Sequence, residues 1–291
     1  MMRKGGSIMK GRHPQNIRRL IGNTSLRMVL ILTSLIVVLP ILWVIYTSFK
    51  TSAEFLNNPW ALPSSLNWSN YANAISKANM GDYFMNSIGV TLGSLGLLFV
   101  LIVPAAYALS RFKFKFSKGI TMLFMAGLFI NCNYIVVPIF MILKDMGLLN
   151  NLFVLCIVYA ATTMPFNIYL LTGFMQGIAK EYEEAAQIDG CGYWGTLFRV
   201  IIPMSKPGFV TIGVFAFMSY WNEYILALTV LKPDHYTLPV GLKNLMEVQK
   251  FATDWGAMFA GLVIVMMPTM VFYALVQKKL TSGLSLGGLK G

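Results

Sequence analysis

Six apolar stretches divide the chain. Met28–Phe49, Phe84–Ser110, Ile120–Leu143 and Trp255–Gln277 contain no charged residue. Met146–Ala179 is also uncharged, and its apolar centre lies near Leu152–Phe174. Pro207–Leu231 carries a single charge, Glu223. Each stretch meets the roughly 20 residues a helix needs to cross the hydrocarbon of a bilayer. A lone apolar strand would leave its backbone groups unpaired in lipid unless a barrel closed around it. Barrel strands alternate apolar and polar residues, and these runs do not. The pattern therefore predicts an all-α polytopic membrane protein with six transmembrane helices. The first stretch is too long and too deep in the chain for an ordinary signal peptide, and it is taken as a mature helix.

Composition agrees. Of 291 residues, 56% are hydrophobic and 12% charged, against about a quarter charged in soluble domains. The net charge of +12 would suggest nucleic acid if the basic residues shared a polar face. Instead they cluster at the ends of apolar runs, which is a topology signal, and nucleic acid is set aside as a partner. Residues 1–27, the loop Arg111–Gly119, the segment 176–207 and the tail after Gln277 hold 17 of the 23 Lys and Arg residues. The alternate loops hold six. The excess predicts that both termini, the 111–119 loop and the 176–207 segment lie in the cytoplasm. Trp43, Trp60, Trp68 and Trp255 then fall near the outer boundary, where interfacial aromatics are enriched. The expected organisation is a basic cytoplasmic tail at 1–27, a six-helix domain at 28–277 with its core at 84–277, and a cytoplasmic tail at 278–291. Cys132, Cys156 and Cys191 have no metal-site spacing and are expected to be packing residues, with Cys191 an exposed thiol.

The segment between the fourth and fifth spans is the anomaly. EYEEAAQIDG (Glu181–Gly190) has four acids among ten residues. Its periodicity predicts a short helix with Tyr182, Ala185, Ala186 and Ile188 mostly on one stripe. Glu181, Glu183 and Glu184 sit in the early turns, where the helix dipole favours anions. Asp189-Gly190 predicts a stop. A second short helix, YWGTLFRVI, is expected to end before Pro203. The outcome is a helix–turn–helix elbow with small residues that admit a close-packed partner.

EAAQIDGCGYWGTLFRVIIPMSKPG resembles the EAA loop of the membrane subunits of binding-protein-dependent ABC importers. The matching residues are Glu184, Ala185, Ala186, Asp189, Gly190, Phe198, Pro203 and Pro207. Cys191 and Ile202 stand where alanine and leucine are usual. AAYALSRFKFK, GLLNNL, PFNIYLLTGF, YWNEYILAL, YTLPVGL and GLSLGGLKG are similar to the maltose-permease-like carbohydrate branch. The resemblance runs from about Asn86 to the C-terminus. It implies a permease subunit in a bacterial or archaeal cytoplasmic membrane. Its implied partners are a second membrane subunit, a pair of cytoplasmic ATPases that hold ATP and Mg, and an extracytoplasmic sugar-binding protein. Glu184, Ala185, Ala186, Asp189, Gly190 and Pro203 would form the ATPase-coupling surface. Tyr236, Leu238 and Pro239 would touch the binding protein. The chain has no G-x-x-x-x-G-K-[ST] phosphate loop and no nucleophile–base set, so it is expected to be no enzyme and to bind no cofactor or metal of its own.

Polar groups inside spans usually face a cavity or a neighbouring helix. Asn131, Asn133, Asn167, Trp221, Asn222 and Glu223 are the candidates for a sugar path, since amides and carboxylates bond hydroxyls and aromatic faces pack on sugar rings. Interhelical hydrogen bonding is the competing role for the asparagines. Glu223 has three: orienting a sugar, bonding to the partner subunit, or fixing a bent helix. A stand-alone secondary transporter with Glu223 as proton carrier is the alternative function.

Overall fold

The computed structural model describes residues 14–77, 79–248 and 254–287. Of the tails expected at 1–27 and 278–291, residues 1–13 and 288–291 lie outside them. Among the described residues every regular element is helical. The first, second, fourth and sixth spans are single helices whose apolar stretches cover Ser25–Thr47, Met80–Arg111, Leu152–Gln176 and Trp255–Gln277. Two helices outrun their predicted ends. The first begins at Pro14, so part of the basic tail continues the first span. The last runs to Gly287 rather than stopping at Gln277. No proline interrupts 278–287, so no backbone donor is removed there.

The other two spans are bent pairs of helices, and counting each pair as one span gives the six expected. The third is Ser117–Gly127 followed by Cys132–Asp145, at 102° to each other. The first half ends by tightening. Leu128, Phe129 and Ile130 donate to Met125, Ala126 and Gly127, the i→i+3 pattern that closes helices. Asn131 then adopts an extended conformation (ψ 130°) and its side chain accepts from Asn133 N–H, starting the second half.

The fifth span is preceded by a helical segment, Tyr193–Met204, set at 74° to Lys206–Trp221. This segment does not stop before Pro203. A π-helical turn at Leu197–Ile201 carries it through the proline to Met204. The wider turn relieves the clash a proline makes with the preceding turn of a regular helix. The bend falls at Ser205 instead, and Pro207 opens the next helix, a position that needs no donor.

The second and fourth spans pack along their length and form the core with the fifth. Small residues allow the approach: Ser87, Thr91 and Ser94 are buried on the second span, and Cys156 Sγ lies 3.6 Å from Val90 O. The first span is peripheral. Residues 25–40 are exposed on this chain, and its described contacts gather at the far end. There Trp43 meets Phe55, Trp60 and Phe259 with ring centroids 5.4–6.4 Å apart, and Phe55 meets Trp255 at 5.1 Å.

Candidate functional site

The elbow consists of the helix Glu181–Ile188, a tight stop, and the segment Tyr193–Met204. The stop is a Schellman motif. Cys191 N–H donates to Ala186 O at 2.9 Å, Gly190 N–H donates to Gln187 O at 3.0 Å, and Gly190 holds φ +83°. This left-handed position is the one where glycine carries no Cβ penalty. The base of the elbow is closed by a contact between its two ends. Phe174 packs on Gly208, where a Cβ would come 2.7 Å from the ring.

One face of the elbow helix is fixed to the bundle. Glu183 and Ala186 are buried. Glu183 Oε1 lies 2.5 Å from Arg111 Nε, with the two side chains 12% and 5% exposed. The approach is an ion-pair contact rather than an aligned hydrogen bond. Arg111 Nη2 also donates to Ile178 O at 2.8 Å, and Tyr107 O–H donates to Glu183 Oε2 at 3.5 Å. The last turn of the second span is thus tied to the start of the elbow. Sequence reading used Arg111 for orientation and Glu183 for the helix dipole, and it missed the pair.

The other face is open. Glu184, Ala185, Asp189 and Gly190 are exposed, while Ala186, named with them from the resemblance, is 6% exposed and packs inward. Pro203 lies within the bent segment. Uncovered apolar side chains surround these residues: Tyr182, Ile188, Trp194 and Phe198 are 54–87% exposed. Tyr182, Ala185 and Ile188 of the predicted stripe therefore face outward. A cleft of about 520 Å³ opens beside the helix, lined in part by Arg111, Lys180, Glu184, Gln187, Cys191 and Tyr193.

The polar residues of the spans separate into distinct places. The fifth span breaks a second time, after Trp221, and restarts as Ile225–Val230. This corrects the single helix expected over Pro207–Leu231. Glu223 closes the restart: Oε1 accepts from Leu226 N–H at 2.7 Å, and Oε2 from Ala227 N–H at 3.0 Å and Tyr159 O–H at 2.6 Å. Asn222 closes the other side, its Nδ2 donating to Met218 O at 2.8 Å. Backbone broken within a bilayer needs such internal partners, and these two side chains supply them. Tyr220 O–H and Thr163 Oγ1, 2.5 Å apart, add a second link between the fourth and fifth spans.

Trp221 is 3% exposed, packed on Phe217 and Phe84 with Nε1 toward Val265 O. It belongs to the core of this chain rather than to an open path, because its indole is the largest apolar surface available where the helix breaks. Asn131 and Asn133 are exposed at the bend of the third span. Asn167 is buried, donates to Thr163 O, and its Oδ1 has no partner among the described residues. It lines a groove of about 490 Å³ between the third, fourth and fifth spans, with Thr162, Thr163, Tyr169 and Ser219.

On the side away from the elbow, Leu238 is 0% exposed. Its N–H donates to Ser87 Oγ at 2.7 Å and its side chain packs with Tyr83 and Trp221. This corrects its assignment to a binding-protein contact: an apolar side chain opening a helix against the bundle is drawn inward. Tyr236 and Pro239 remain half-buried. The neighbouring residues 249–253 lie outside the described ones.

Residues 99–285 match the family described as binding-protein-dependent transport system inner membrane component. A diacetylchitobiose uptake system permease protein of Streptomyces coelicolor is 36% identical over 89% of this chain and 86% of its own length. A sulfoquinovosyl glycerol transport system permease protein of Agrobacterium fabrum is 35% identical over 87% of this chain and 88% of its own. Among solved structures, a bacterial ABC transporter involved in import of the acidic polysaccharide alginate has a chain that superposes with a TM-score of 0.76. That chain is 25% identical, and the match covers 93% of this chain and 99% of the other.

Proposed function

The chain belongs to the family of inner membrane components of binding-protein-dependent transport systems, and on that premise we propose that it is the permease subunit of a carbohydrate importer, coupled to its ATPases through the 176–207 elbow. It is a multi-pass protein of the inner membrane, a transporter subunit rather than an enzyme, and its system includes ATPase and binding-protein partners. The carbohydrate reading rests on relatives whose names specify diacetylchitobiose and sulfoquinovosyl glycerol. A second membrane subunit completes the path, and two ATPase subunits carry ATP and Mg on the cytoplasmic side.

The observation that carries the coupling role is the two-faced elbow. Its inner face is tied by Glu183 to Arg111 at the end of the second span. Its outer face leaves Tyr182, Ile188, Trp194 and Phe198 uncovered beside Glu184, Asp189 and Gly190. Apolar surface rimmed by polar residues is the usual mark of a protein interface. Closure of the ATPases then moves the elbow, and the elbow moves the helices to which it is fixed. The equilibria of nucleotide state and of access to the path become linked.

The substrate path is assigned to the side of the bundle that carries the 490 Å³ groove. Asn167 offers an amide there, and its unpartnered Oδ1 suits a hydroxyl donor. Asn131 and Asn133 are exposed at the bend of the third span, which contributes Gly127, Leu128 and Ile130 to the groove. Glu223 and Asn222 shape this path by holding the break in the fifth span. The proton-carrier alternative lacks support of this kind, because both Glu223 oxygens already accept hydrogen bonds.

Gentle affinity purification from native membranes tests the proposal, with wild type beside Gly190→Asp. The expected result is a second membrane subunit retained in both and the ATPase lost only from the variant. An ATPase that stays bound to Gly190→Asp, with uptake intact, would remove the coupling role from this surface.

A further inference from the structure

A second groove lies where the second span gives way to the third, next to the cleft beside the elbow, with which it shares Arg111 and Lys180. Its volume is about 1040 Å³. Lys113, Lys115, Lys118 and Lys180 line it, together with Met122, Met125, Ala126 and Phe129. The two chemistries are separated in depth. The first three lysines lie on the connection and at the start of the helix Ser117–Gly127. Met125 is two turns beyond Lys118 along that helix, about 10 Å at 1.5 Å per residue.

None of the four lysines forms an ion pair among the described residues, and the fifth cation at the groove, Arg111, is taken by Glu183. The apolar wall is uncovered: Met122 is 73% exposed and Phe129 89%. The helix entering the groove at Ser117 has no side-chain cap. A cationic entrance over an open apolar wall, at the level where a span leaves the membrane, complements a molecule with an anionic head and a long apolar tail.

We infer that this groove binds one anionic phospholipid of the leaflet facing the elbow, its phosphate among Lys113, Lys115, Lys118 and Lys180 and one acyl chain along Met122, Met125 and Phe129. The inference rests on the membrane orientation adopted under the proposed function. A zwitterionic lipid brings its own ammonium group toward the four lysines, so the site selects net negative charge. Seated there, the lipid touches both the connection after the second span and Lys180, which immediately precedes the elbow helix. Lipid charge is thereby placed next to the coupling element.

The test uses the complete transporter with p-benzoylphenylalanine in place of Met122. It is reconstituted in phosphatidylcholine vesicles with or without phosphatidylglycerol and irradiated, and the adduct is identified by mass. A phosphatidylglycerol adduct is expected, falling on the order of tenfold or more in Lys113→Gln/Lys115→Gln/Lys118→Gln while the phosphatidylcholine adduct persists. Equal phosphatidylglycerol labelling in the lysine variant would make the groove ordinary annular surface and overturn the inference. So would an adduct to another protein chain. Retention of the ATPase, read from the same preparation, reports separately on the coupling proposal.

Discussion

Replacing Glu183 by Gln removes the negative partner of Arg111 while keeping nearly the same shape. The guanidinium stays 5% exposed and keeps only neutral acceptors, the Ile178 carbonyl and the new amide oxygen. Breaking a buried pair in this way costs about 3–5 kcal/mol. The lower end applies here, because a cleft opens beside the pair. At about 1.4 kcal/mol per decade, a 3 kcal/mol loss corresponds to roughly a hundredfold rise in the population of the opened elbow. Hydrogen exchange at the amides of residues 181–190, measured in the reconstituted transporter, reads that population directly. Two further variants sharpen the result. Arg111→Met/Glu183→Met replaces both charges by apolar groups and should recover most of the protection, since a buried pair exchanged for packing is often neutral. The swap Arg111→Glu/Glu183→Arg should recover less, because it sets a carboxylate against Ile178 O, where the guanidinium had donated. Uptake per ATP hydrolysed should fall with protection in the single variant. Glu183→Gln with exchange within about threefold of wild type would refute the claim that this pair ties the elbow to the second span.

Gly190 separates backbone strain from steric approach. The αL position costs an alanine about 1 kcal/mol and an asparagine less, so elbow exchange should rank Ala above Asn, whereas ATPase retention should decline with side-chain size from Gly through Ala to Asn; a common order in both assays would leave only the backbone effect. At Glu223, Gln should keep one acceptor for the restarted helix and lower thermal stability slightly. Ala leaves two part-buried N–H groups unmet, at about 1–3 kcal/mol each, and thermal unfolding indistinguishable from that of Gln would contradict the capping role.

The spans were legible where one property decides them. Unbroken apolar runs made the first, second, fourth and sixth helices readable, because burial in lipid is the whole requirement there. The bends of the third and fifth were not, because hydropathy is blind to backbone direction: Leu128–Ile130 and Trp221 are as apolar inside a break as inside a helix. The cues were present in Asn131, Asn222 and Glu223. Fixing a bent helix was one of three roles open to Glu223, whereas Asn131 and Asn222 read first as groups for a substrate. The backbone shows all three beside cut ends. In the elbow, Asp189-Gly190 announced its turn correctly, since the left-handed residue is chemically marked. Pro203 misled, because the π turn that accommodates it has no such mark. The Arg111–Glu183 pair joins elements distant in sequence, and no local pattern points from one residue to the other.

The aromatic contact between Trp43 and Phe259 has a consequence for the order of synthesis. The two residues are separated by most of the chain, which at about 5–20 residues per second takes on the order of tens of seconds to translate. During that interval the outer end of the first span has only sequence neighbours such as Phe55 and Trp60 for native partners, and the helix waits in the bilayer undocked from the last span. Its exposed residues 25–40 let it wait without harm, since lipid already satisfies them. Attachment of the first helix is thus among the last native contacts a newborn chain can make.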